Sequence, residues 1–95
     1  MTYYTVGRSY EYKIMNEYRN LGYYVIRSAG SHGLFDLVAF NENEIIFICC
    51  RKGRKWKESD LNAIKNSVKI PSNARILLCE KTNDGERKHI IYKPL

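Results

Sequence analysis

Two apolar segments, LFDLVAF at 34–40 and EIIFICCRK at 44–52, stand on either side of Asn41, Glu42 and Asn43. Their β-branched and aromatic content reads as two strands, and the short polar connection suits an antiparallel hairpin. Asp36 lies inside the first of them, one carboxylate among apolar neighbours, and such a group needs a partner, solvent or a metal. A chain of 95 residues has room for one two-layer core. Any site must therefore be grafted onto that core, and we expect a single domain spanning 1–95.

The remaining elements fall around this hairpin. Tyr10, Ile14, Tyr18 and Leu21 recur at helical spacing, with Ser9 placed to cap the start and Gly22 to stop the end. Tyr23 to Ser28 reads as a first strand, followed by a glycine-containing loop, AGSHG. After the hairpin, Ser59 can cap a helix bearing Leu61, Ile64 and Val68 that ends at Ile70 before Pro71. RILLCEK at 75–81 and KHIIYKP at 88–94 are the last strands, separated by a turn containing Asn83, Asp84 and Gly85. The order αβββαββ predicts an α/β (α+β) domain with a central mixed sheet flanked by helices, rather than a bundle or a barrel.

Charge narrows the function. The chain carries 16 Lys and Arg against 10 Asp and Glu, a formal +6. Five of those cations, Arg51, Lys52, Arg54, Lys55 and Lys57, fall within RKGRKWK, while the other basic and acidic residues nearly cancel. A local excess points to nucleic acid, with an anionic membrane surface or an ordinary solvated loop as the competing readings. Three cysteines, an odd number, and the lack of a signal peptide or a long apolar run predict an intracellular, soluble protein with no membrane span. Cys49 and Cys50 should point to opposite faces of their strand, so they cannot easily converge on one small metal site.

The residues that could carry chemistry are Glu11, Asp36 and Arg51. Two carboxylates brought together could hold Mg²⁺ or Mn²⁺, and a nearby cation could neutralise charge on a phosphodiester under attack. The same residues also have a structural reading, in which Glu11 favours a helix N-terminus and Asp36 and Arg51 are salt-bridge partners. His32 in the glycine-containing loop could donate to phosphate, and His89 in the last strand has less claim to a role. Tyr3, Tyr4 and Trp56 could stack on bases or simply supply packing surface, with Trp56 favoured by its place in the basic run.

The stretch SAGSHGLFDLVAFNENEIIFICCRKGRK resembles the archaeal Holliday-junction resolvase family, within the PD-(D/E)xK nuclease superfamily. An early helix glutamate at Glu11, the Ser28-Ala29-Gly30-Ser31 run and Asp36-Leu37-Val38-Ala39 carry the resemblance, which extends over roughly positions 7–93. It implies a restriction-endonuclease-like fold, Glu11 and Asp36 as ligands for Mg or Mn, and Ser31 close to substrate. It further implies a homodimer acting on branched DNA, in the cytoplasm at the nucleoid. Arg8, Ser31, His32, Arg51, Lys52, Arg54, Lys55, Trp56 and Lys57 are the expected DNA contacts.

One departure bears on the chemistry. Where the family carries Glu-x-Lys on its third strand, the best register puts Cys49 in the Glu position and Arg51 in the Lys position. A thiol is a soft, usually neutral ligand, and arginine is no neutral base. A register shifted by one gives Cys50-Arg51-Lys52, which recovers the lysine but not the acid. The expected function is binding of branched or distorted DNA with impaired or absent endonuclease activity. The alternatives are an active Mg- or Mn-dependent structure-specific endonuclease and a non-enzymatic RNA- or protein-binding module.

Overall fold

The chain runs through α1 (Tyr3–Asn20), β1 (Tyr24–Arg27), β2 (Leu37–Phe40), β3 (Ile45–Lys52), α2 (Glu58–Ser67), β4 (Ala74–Thr82) and β5 (Gly85–Tyr92). The structure, a computed structural model, describes residues 3–28, 35–67 and 69–92. The strands form one sheet in chain order. β1–β2, β2–β3 and β4–β5 are antiparallel, and β3–β4 is parallel. A parallel pair cannot be joined by a tight turn, and α2 supplies the crossover between β3 and β4. The αβββαββ order and the mixed sheet are those read from the sequence.

Alternation along the strands divides the apolar residues into two layers. On one face Leu37, Ala39, Ile46, Ile48, Leu77 and Cys79 meet Tyr10, Ile14, Met15 and Tyr18 of α1. On the other face Cys49, Ala74, Ile76 and Leu78 meet Ile64 of α2 and Ile70. These two clusters hold the core, and adjacent Cys49 and Cys50 do turn to opposite layers.

Several boundaries differ from the sequence reading. Helix α1 begins at Tyr3, so Ser9 lies inside it and is not its cap, and Glu11 sits mid-helix rather than near an N-terminus. Leu21 leaves the apolar stripe and is 70% exposed. The reason is a Schellman turn: Tyr23 N–H donates to Tyr18 O and Gly22 N–H to Arg19 O, both at 3.0 Å, with Gly22 at φ 95°. Gly22 thus ends the helix as expected, and Met15 joins Tyr10, Ile14 and Tyr18 on the core face.

Helix α2 begins at Glu58, which puts Ser59 inside it. Its start is closed from the other direction, by the Asp60 carboxylate accepting the Lys57 N–H at 3.0 Å. Val68 lies outside the described residues. Strand β5 starts at Gly85 rather than Lys88, because Thr82 pairs with Gly85 and leaves only Asn83 and Asp84 in the turn. Asp36 falls just ahead of β2, not within it.

Candidate functional site

The site lies where α1 crosses the sheet near the ends of β1 and β3. Tyr23, Val25 and Cys50 all abut the α1-side cluster, and by the two-residue period Arg27 at the end of β1 turns the same way. There its Nε lies 3.3 Å from Glu11 Oε1, and its guanidinium carbon lies 5.5 Å from the Tyr12 ring centre. This salt bridge ties the middle of α1 to the edge strand, with both partners only partly exposed.

Asp36 is fixed by backbone geometry. Its N–H donates to Ile48 O and its carbonyl accepts from Ser28 N–H, each at 2.9 Å, so β1 and β3 both hold the residue from either side. Its Oδ2 accepts the Cys50 N–H at 2.8 Å. Burial lifts the Asp36 carboxyl above its ordinary value, and the Cys50 amide and the Arg27 charge only partly offset this. The Cys50 thiol is pushed far up by its contact with the Cys79 thiol, by burial, and by the nearby charges of Asp36 and Glu11. It is therefore a neutral group at pH 7.

Cys49 and Arg51, given the motif positions in the best sequence register, are placed on the opposite face. Cys49 is buried in the α2-side cluster, and burial first, then the Asp36 charge, push its thiol up to about 12. Arg51 Nη1 lies 3.1 Å from Asp60 Oδ2, and its guanidinium carbon covers the Trp56 ring at 3.7 Å. Neither side chain meets Glu11 across the sheet. The residues of β3 on the α1 side are Cys50 and, two positions on, Lys52, which corresponds to the shifted register Cys50-Arg51-Lys52.

Trp56 is anchored as well as basic-flanked. Its indole N–H donates to Cys79 O and its backbone N–H to Glu80 Oε1, both at 2.9 Å. With Arg51 over its ring, one stacking face is already taken. Glu80 is only 1% exposed and also meets His89 Nε2 at 2.7 Å, which gives His89 a structural contact. Burial would raise the Glu80 carboxyl, yet the Trp56 amide and His89 win and lower it.

Lys52, Arg54, Lys55 and Lys57 are exposed. Lys55 Nζ bridges to Asp84 Oδ2 at 2.8 Å, and among the described residues the other three form no salt bridge. Ser31 and His32 lie outside the described residues, as does the side chain of Arg8. The sequence reading gave no place to Arg27, Asp60 or Lys81. Arg27 could have been found by extending the alternation Tyr23, Val25, Arg27; Lys81 had no signal until β4 was set in register beside β3.

The donors present suit a hard divalent ion poorly. Glu11 is engaged by a guanidinium, Asp36 by an amide, and β3 offers neutral thiols at both Cys49 and Cys50. Among the described residues no three His, Cys, Asp or Glu side chains cluster as a metal site. Among the described residues no helix is long and apolar enough to cross a membrane.

The archaeal Holliday junction resolvase (Hjc) family model matches residues 2–70. No curated protein gives a significant match. Among solved structures, the 1.6 Å structure of Archaeoglobus fulgidus Hjc, a Holliday junction resolvase from an archaeal hyperthermophile, superposes with a TM-score of 0.56 at 17% identity. That alignment covers 88% of this chain and 73% of the A. fulgidus chain, and it establishes a shared fold.

Proposed function

The chain belongs to the archaeal Holliday junction resolvase family, and from that premise we propose that it binds branched DNA as a homodimer, with its hydrolytic centre impaired or lost. The observation that carries this reading is Cys50. A neutral thiol occupies the β3 position on the face that Glu11 shares, where a third carboxylate would be needed to gather a hard cation. The exposed cations that follow β3 are unaffected by that exchange, so phosphate attraction outlasts the chemistry. The protein then acts in the cytoplasm, at the nucleoid.

A second reading, an active Mg- or Mn-dependent endonuclease, is favoured by the retention of Glu11, Asp36 and Lys52. The two readings separate in one assay. A labelled four-way junction is titrated against linear duplex and single-stranded RNA at matched salt, then incubated with Mn²⁺. We expect preferential junction binding without cleavage. Equal affinity for junction and duplex would sink the preference for branched DNA. Stronger competition by RNA would point to an RNA-binding module, and Asp36-dependent cleavage would establish the active enzyme.

A further inference from the structure

Beyond the end of β3, the Gly53–Lys55 turn and the β4–β5 hairpin face each other across an open cleft of about 620 Å³. One wall carries Lys52, Arg54 and Lys55, and the other carries Lys81, Thr82 and Asp84. Lys52 and Lys81 are direct partners in the parallel β3–β4 ladder. They stand side by side on one face, where like charges are unfavourable unless an anion lies between them. Glu86, opposite Lys81 in β5, is drawn away to Lys13, whose Nζ it meets at 2.6 Å.

The cleft is held in shape by backbone contacts. Gly53 adopts φ 92°, which a side chain would disfavour, and its N–H donates to Lys81 O at 2.8 Å, so the basic turn is tied to β4. The hairpin tip is fixed by Asp84 N–H donating to Thr82 Oγ1 at 3.2 Å. The Lys55–Asp84 contact at 2.8 Å then spans the two walls, placing one exposed carboxylate against four cations.

We propose that this cleft receives a backbone phosphate of a DNA strand passing beside the Glu11, Asp36 and Cys50 site, and that Asp84 occupies Lys55 until the phosphate displaces it. The proposal rests on the DNA-binding reading above and adds Lys81 and the β4–β5 hairpin to the contact surface. Anion recognition here uses point charges from lysine and a guanidinium from Arg54, which suits phosphodiester oxygens without reading base sequence.

The test is junction binding by fluorescence anisotropy across 0.05–0.2 M NaCl, roughly the range in which counterion release dominates, for wild type, Lys81→Gln, Asp84→Asn and Lys65→Gln. One phosphate contact contributes about 0.9 to the slope of log affinity against log salt, or about eightfold in affinity at about 0.1 M salt. Lys81→Gln removes one such contact from each protomer of the homodimer, so it should weaken binding by about sixtyfold and flatten the slope by about 1.8. Asp84→Asn should tighten binding and steepen the slope, while Lys65→Gln on α2 leaves both unchanged. Wild-type junction binding with Lys81→Gln and Asp84→Asn indistinguishable from it would overturn the cleft and leave the DNA-binding reading intact. Wild type that binds no junction would overturn the DNA-binding reading, and the cleft's ligand with it.

Discussion

Asp36 holds the Cys50 amide at 2.8 Å, and the Cys50 side chain leaves β3 toward α1, the helix that carries Glu11. Its neighbour Cys49 leaves the strand the other way, into the layer under α2. The two cysteines are adjacent in sequence and belong to different environments. The Asp36 charge reaches both thiols, but of the two only Cys50 turns to the layer under α1.

Glutamate at these two positions should respond differently to a metal ion. At Cys49, 4% exposed among Ile64, Ile76 and Leu78, a carboxylate is stripped of water and lies within reach of the Asp36 charge. Cys49→Glu should cost about 3 kcal/mol or more, and at about 4–8 °C per kcal/mol this lowers Tm by at least about 10 °C. Cys50→Glu, half-buried beside the Asp36 and Glu11 carboxylates, should also lose Tm without metal through like-charge repulsion, and Mn²⁺ should restore part of it by binding the folded state. Thermal melts with and without the ion check both expectations.

The raised Asp36 carboxyl makes a stability statement of its own. A carboxyl whose folded value lies above its unfolded value of 3.8 is penalised once ionised, so it subtracts from stability at neutral pH and not below its unfolded value. Asp36→Asn should raise the Tm at pH 7, with the gain shrinking as the pH is lowered toward about 4. A neutral-pH loss of Tm would show that the Cys50 amide bond outweighs the burial penalty.

Glu80 acts in the opposite sense. Its carboxyl is lowered by the Trp56 amide and His89 despite burial, so its contribution is present above the unfolded value of 4.5 and is lost as the pH falls through the folded value. Glu80→Gln should lower stability at pH 7 and flatten the acid side of the Tm profile below about pH 4.5. Melts across pH 2.5–7, roughly the span over which carboxylates titrate, measure this directly.

Arg51 and Lys52 should separate along the same line as the cysteines. Arg51→Met removes the contacts to Asp60 and Trp56 and should lower Tm. Lys52→Met, at an exposed position, should leave Tm nearly unchanged and weaken DNA binding. The reverse pattern would return Arg51 to the functional face.

The element order was legible because each segment's periodicity agreed with its turn residues: the Asn41–Asn43 connection, Gly22 after the first helix, and Gly85 after β4 all mark real chain reversals. Helix starts were less legible. Ser9 and Ser59 have the right side chains for caps, but α1 extends back to Tyr3, and Asp60 closes the start of α2 from within. The candidate site was legible as a set of residue types and ambiguous in register. A one-residue slip exchanges every face of a strand, and CCRK offers a cysteine followed two positions later by a cation in either register. Only the layers on each side of β3 distinguish Cys50 and Lys52 from Cys49 and Arg51.

The most direct measurement is cleavage of a four-way junction in Mn²⁺ by wild type, Cys49→Glu, Cys50→Glu, and Cys50→Glu combined with Asp36→Ala. If Cys50 is the position at which the third carboxylate was lost, wild type and Cys49→Glu cut weakly or not at all, Cys50→Glu cuts, and Asp36→Ala abolishes that gain. Asp36-dependent turnover by wild type, or a gain in Cys49→Glu without one in Cys50→Glu, would contradict the account.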